Sequence, residues 1–178
     1  MQMFKPLTTA RLMLRRFVPA DAPALAGYRN LPEVSSLQMW DGYSLSDAHN
    51  LIATMQPQPT QDQWYQVAVT LNGQLIGDLA FKLEDRQAEI GFSFDPKYQR
   101  QGYAHEAAIA LLEYAFNELK LHRLHASTDP RNTKSIALLE KLGFRQEGHL
   151  RQNLWFKGAW ADDLLFGLLK TQWLSRDV

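Results

Sequence analysis

The spacing of apolar positions changes along the chain, and each change marks an expected element. Residues 11–17 (RLMLRRF) set Leu12 and Leu14 against longer polar side chains, the two-residue period of a strand. Asp21 can cap a short helix through Tyr28, and Ser46 a second one whose Ala48, Leu51, Ile52 and Met55 share a face. Residues 64–71 return to a strand pattern, and Asn72-Gly73 is a strong hairpin signal leading to a partner strand over residues 74–82. Asp85-Arg86 turns into a further strand over residues 87–94. The clearest helix runs from about Gly102 to Leu119, with Ala104, Ala107, Ala108, Leu111, Leu112, Ala115, Phe116 and Leu119 on one broad apolar face. A short strand over residues 123–128 follows. Asn132 then caps a helix through Leu142, and Gly143 ends it at the left-handed position. A last hairpin folds at Lys157-Gly158, between residues 146–156 and 160–169.

This order predicts an α/β fold with one mixed, mostly antiparallel sheet flanked by about four helices. The whole chain, residues 1–178, is expected to form a single domain, and the polar stretch QPQPTQDQ at residues 56–63 is short enough to be a loop within it. With 46% apolar and 21% charged residues the chain can build a core and stay in solution. Its nineteen basic and nineteen acidic residues cancel, which disfavours nucleic acid as the main partner. No apolar run approaches the ~20 residues that span a bilayer, and the first residues carry no signal-peptide core, so the expectation is a cytoplasmic protein without a membrane partner. The absence of cysteine excludes disulfides, thiolate metal sites and a thiol nucleophile.

The chemistry concentrates where the long helix begins. Gln99-Arg100-Gln101-Gly102-Tyr103-Ala104 lies between a strand and an apolar helix, and no acidic residue caps that helix. The first turn of a helix has unpaired N–H groups and a partial positive charge, so successive amides there can cradle a phosphate. Gly102 lets backbone approach a ligand, and Arg100 adds a full charge. Taken alone, the motif reads as a plain turn glycine at Gly102. The stretch is neither a Walker loop nor a dinucleotide fingerprint, because G-K-[ST] and G-x-G-x-x-G are both absent.

Several segments in order (TTARLMLRRF, AEIGFSFDPKYQRQGYAHEA, NTKSIALLEKLGF, Glu147-Gly148 and Trp160-Ala161-Asp162) resemble the GNAT superfamily of acyl-CoA-dependent N-acetyltransferases. Within it they resemble the RimJ/RimL-like group, which acetylates ribosomal-protein N-termini and similar amines. The resemblance implies that Gln99, Arg100, Gln101, Gly102, Tyr103 and Ala104 hold the pyrophosphate of acetyl-CoA. It implies that the pantetheine arm lies between a strand ending at Phe94 and the strand at residues 124–127, paired to backbone near Phe92 and Phe94. Asn132 would bond the same arm, besides its role as a cap.

Direct attack of an amine on the thioester needs a neutral amine, a polarised carbonyl and a proton for the departing thiolate. Glu89 shares a strand face with Gly91 and Ser93 and is the candidate base, or else a structural carboxylate paired to a lysine or arginine. Ser135 is the candidate donor to the sulfur, or an ordinary first-turn serine. Many relatives carry a tyrosine where this chain has Leu139, and the branch's second glutamate falls at Leu154. Trp40, Tyr43 and Trp64 can wall the acceptor cleft or belong to the core, and Trp160 and Asp162 can serve either the fold or the acceptor. No metal site is expected: His122 and His125 are three apart on a strand, which sets them on opposite faces, and His105-Glu106 lacks the second histidine of H-E-x-x-H. The acceptor is expected to be a peptide N-terminus; a small amine acceptor and a non-catalytic CoA-binding module are the alternatives. A monomer and a homodimer are both compatible with the sequence.

Overall fold

The structure is a computed structural model and describes residues 3–175. Eight strands form one sheet in the order β1-β2-β3-β4-β5-β6-β8-β7. They are β1 (Leu7–Thr8), β2 (Leu12–Arg15), β3 (Trp64–Leu71), β4 (Gln74–Glu84), β5 (Gln87–Phe94), β6 (Arg123–Thr128), β7 (Arg145–Phe156) and β8 (Ala159–Leu169). Every neighbouring pair is antiparallel except β5–β6. Six α-helices accompany them among the described residues: α1 (Ala22–Arg29), α2 (Pro32–Ser35), α3 (Leu45–Thr54), α4 (Tyr103–Glu113), α5 (Thr133–Lys141) and α6 (Lys170–Leu174). The expected four correspond to α1, α3, α4 and α5. The two extra helices have four and five residues, too few to show a helical period in the sequence.

One face of the sheet carries the main core. Leu12, Leu14, Val67, Leu79, Phe81, Ile90, Leu124, Phe166 and Leu168 meet Ala108, Leu112 and Phe116 of the long helix and Leu139 of α5 there. The helix beginning at Tyr103 gives way to a wider π-type turn over Tyr114–Glu118, where Ala115 and Phe116 remain buried. A smaller cluster on the opposite face joins Leu25, Ala26 and Ala48 to Ala68.

Two cap assignments are corrected by the geometry. Asp21 stands at the N-cap of α1 but its side chain does not cap that helix. Its carboxylate accepts instead from the Val18 amide at 2.8 Å and from both terminal nitrogens of Arg15 at 2.7 and 2.9 Å. The cap of α3 is Ser44, not Ser46: the Asp47 amide donates to its Oγ at 3.1 Å, and the Ser44 amide donates back to the Asp47 carboxylate at 2.8 Å. The acid three residues on selects Ser44, because a capping box needs that spacing. Ser44→Ala is expected to destabilise the fold by about 1 kcal/mol. Ser46→Ala should change little, and urea midpoints of the two variants would show the difference.

Candidate active site

β5 and β6 are hydrogen-bonded only from Gln87↔Arg123 to Glu89↔His125. Beyond that point both strands continue, to Phe94 and Thr128, without pairing to each other. The sheet therefore opens between Ile90–Phe94 and Ala126–Thr128, leaving strand edges that can pair with an extended ligand.

Alongside β5, below this opening, lies a cavity of about 430 Å³, lined by Phe92, Ser93 and Phe94 of β5, by the loop before α4 and by the first turn of α5. Most of the sequence-predicted cofactor residues meet here: Phe92, Phe94, Gln99, Arg100, Gly102, Ala104, Asn132 and Ser135 all line it. Gln101 and Tyr103 do not. The Gln101 side chain donates to the Lys97 carbonyl at 2.9 Å, and the Tyr103 ring lies 6.5 Å from that of Tyr98.

Gly102 is the N-cap of α4 with φ +82° and has no side chain with which to cap it. A glycine cap offers no side-chain oxygen to the amides of the first turn. Arg100 is also left-handed, with φ +60°. The loop is tied on several sides. Gln99 donates to the Phe94 carbonyl at 3.0 Å and accepts from Lys134 Nζ at 2.9 Å. Arg131 and Lys134 join Arg100 at the cavity wall. A glycine-led helix start and three cationic side chains at the cavity wall fit a phosphate-bearing ligand. Asn132 serves as the α5 cap, its Oδ1 accepting from the Ser135 amide at 3.1 Å, which leaves its amide group for a ligand.

Glu89 stands where β5 and β6 part. It is cross-strand to Lys82 and ion-paired with it at 3.1 Å; Lys82 also reaches Glu84 at 2.8 Å, and Glu84 bonds His125 at 2.9 Å. Register places His125, Ser127, Leu165 and Asp163 on the same sheet face as Glu89. Asp163 is an acidic neighbour of Glu89 that the sequence reading did not single out. Burial raises its carboxyl above the ordinary range, with help from the charges of Glu89 and Asp129 and against hydrogen bonds from Thr128 and Ser127. The opening is thus flanked by Glu89 on β5 and Asp163 on β8. Nothing in the local pattern separates Asp163 from its neighbour Asp162, which holds the last hairpin by bonding His149 at 2.7 Å and the Gln152 amide at 2.9 Å.

The three aromatic candidates separate. Trp40 and Tyr43 bracket the Arg29 guanidinium, each ring centroid 5.0 Å from it, and the Trp40 indole donates to the Arg29 carbonyl at 3.1 Å. Arg29 is buried and ion-paired to Asp78 at 2.6 Å, and Tyr28 donates a short hydrogen bond to Asp78. Burial opposes the charge on Arg29, but Asp78 overcomes it and holds the guanidinium ionised. Trp64 is half exposed and lies over Lys82, 5.6 Å from its Nζ, on the side of Glu89. Glu33, Val34 and Leu37, in and just after α2, also line the cavity and were not foreseen. No group of His, Asp or Glu among the described residues could hold a metal. No described helix is long and apolar enough to cross a membrane.

A parted pair of parallel strands beside a glycine-led helix start is suited to an extended, phosphate-bearing ligand. An acetyltransferase (GNAT) domain matches residues 11–145, and the chain belongs to that family. It is 31% identical to the uncharacterized N-acetyltransferase YnaD of Bacillus subtilis (strain 168), over 94% of this chain and 98% of YnaD. It is 34% identical to the [ribosomal protein uS5]-alanine N-acetyltransferase of Escherichia coli (strain K12), over 47% of this chain and 43% of that one. Among solved structures, the GNAT-family acetyltransferase from Bacillus anthracis superposes with a TM-score of 0.86 at 30% identity, covering 94% of this chain and 99% of that one. Mycobacterium smegmatis RimJ in complex with CoA-disulfide superposes with a TM-score of 0.82 at 25% identity, covering 93% and 85%. The protein is an acyltransferase, and its family uses acetyl-CoA.

Proposed function

We propose that the protein transfers an acetyl group directly from acetyl-CoA to a primary amine, with the α-amino group of a protein or peptide as acceptor. The single observation that carries the cofactor part is the junction of the strand opening with the cavity under Gly102. The loop amides and Arg100 would hold the diphosphate, and Phe92 and Phe94 would offer backbone to the pantetheine arm. That RimJ, which shares the fold, was solved with CoA-disulfide supports a coenzyme A ligand.

The amine reaches the thioester from the face that carries Glu89 and Asp163. With no cysteine the chain cannot form a thiol-linked acyl-enzyme, so transfer proceeds in a ternary complex. Glu89 orients the acceptor and takes its proton directly or through water, and Ser135, at the cavity wall, bonds the sulfur as it leaves. Glu89 already shares Lys82 with Glu84, which suits an acceptor that gives up its proton readily. An α-amino group ionises near 7.7–8.0, a lysine near 10.4. A small polyamine is the second reading, favoured by the mutual repulsion of Glu89, Asp129 and Asp163 around the opening, which a polycation would relieve.

Thiol release from acetyl-CoA, measured with a panel of peptides and small amines, tests the proposal. Peptides with a free N-terminus are expected to turn over at least about tenfold faster than their N-blocked, lysine-containing counterparts at neutral pH. Turnover confined to polyamines would replace the peptide acceptor with the second reading.

A further inference from the structure

We infer that Arg11, at the threshold of β2, is a positioning residue for the phosphate loop and screens the Glu106 carboxylate from the anion that the loop holds. The inference rests on the coenzyme reading of that loop. Glu106 lies in the first turn of α4. A bare carboxylate there favours the helix but repels an anion placed at the same helix end. Both of its oxygens are engaged from the N-terminal segment. Oε1 accepts from the Thr9 hydroxyl at 2.6 Å and the Arg11 amide at 2.9 Å, and Oε2 accepts from Arg11 Nε at 2.6 Å. Burial pushes the Glu106 carboxyl up, but the hydrogen bonds from Thr9 and Arg11 outweigh it and hold the group below the ordinary range, as an anion that needs a counter-charge.

The rest of the guanidinium grips the loop. Arg11 Nη1 donates to the Gln101 carbonyl at 3.1 Å, and its Cζ lies over the Tyr103 ring, 4.4 Å from the centroid. The carbonyl of Gln101 and the N–H of Gly102 belong to one planar trans peptide and point in opposite directions. Holding the carbonyl toward Arg11 therefore turns the Gly102 N–H away from it. Gly102 lines the cavity, whereas Gln101 and Arg11 do not. The loop needs such a support because Arg100 and Gly102 both take left-handed conformations, which a non-glycine residue holds only when its surroundings impose it.

Calorimetric titration of acetyl-CoA into the wild type, Arg11→Gln, Arg11→Lys, Glu106→Gln and the Arg11→Gln/Glu106→Gln double variant separates these roles. Arg11→Gln is expected to weaken acetyl-CoA binding by about tenfold or more. The double variant should recover about threefold of that loss, because no unscreened carboxylate remains. Arg11→Lys, which keeps the charge but not the fork, should fall between wild type and Arg11→Gln. Binding of acetyl-pantetheine, which lacks the diphosphate, and kcat at saturating acetyl-CoA should both stay within about twofold of wild type in Arg11→Gln. Unchanged acetyl-CoA affinity in a folded Arg11→Gln or Arg11→Lys would overturn the inference and leave the coenzyme reading standing. An equal loss for acetyl-pantetheine would also overturn it. Failure of the wild type to bind acetyl-CoA would overturn the coenzyme reading and the inference with it.

Discussion

Replacing Gly102 by valine is expected to lower acetyl-CoA affinity at least about 100-fold while the protein stays folded. Gly102 has φ +82° and ψ −4°, a conformation that costs an L-residue about 1–2 kcal/mol and a β-branched one more. A Cβ added there would lie 3.2 Å from Arg11 Nη2, and valine adds two further methyl groups beyond it. The backbone would have to rotate, and rotation moves the amides that face the cavity. The fold survives because Gly102 is exposed and outside the core clusters. Calorimetric titration with far-ultraviolet circular dichroism on the same sample measures both quantities. A folded valine variant with wild-type affinity would mean that the loop is not the phosphate seat.

The second large effect is expected at the parted strands. Glu89→Gln should lower kcat about 100-fold for an acceptor of lysine-like pKa and far less for an α-amine, with acetyl-CoA affinity unchanged. Equal loss of turnover and coenzyme affinity would assign Glu89 to structure through its pair with Lys82. Asp163 adds a pH signature. Its carboxyl is raised by burial and by the charges of Glu89 and Asp129, so it carries a proton at pH values where an ordinary aspartate has lost it. A rate that depends on its ionised form climbs with pH through that raised value, and Asp163→Asn removes the step. The sign for stability is the opposite. A raised folded-state pKa penalises the fold only as pH rises above the unfolded carboxyl range, and fully above the raised value. Asp163→Asn should therefore melt higher than wild type at neutral pH and no higher in acid; pH–rate profiles and melts on one preparation read both.

Much of the architecture was legible because its causes are local. Trp64–Leu71, Gln87–Phe94 and Arg123–Thr128 were bounded by alternation and by turn residues that act over a few positions. Asn132 and Gly143 announced the ends of α5 in the same way: the first accepts from the Ser135 amide, and the second takes φ +92°. Ser44 was the exception within reach of the sequence, since Asp47 three residues later distinguishes it from Ser46. Of the loop proposed to hold the coenzyme, Gln99, Arg100, Gly102 and Ala104 line the cavity, and Gln101 and Tyr103 do not.

By itself, then, the chain's pattern determined which segments become strands and helices and where a helix start lies open to an anion. Those properties follow from backbone torsions and neighbours a few residues apart. Tertiary structure alone decided that β5 and β6 part after Glu89↔His125, that Asp163 stands on the same face as Glu89, and that Arg11 reaches Glu106. Arg11 and Glu106 are 95 positions apart in sequence. Contacts of that range are set by how helices and strands stack to bury apolar surface, and no local period or spacing encodes them.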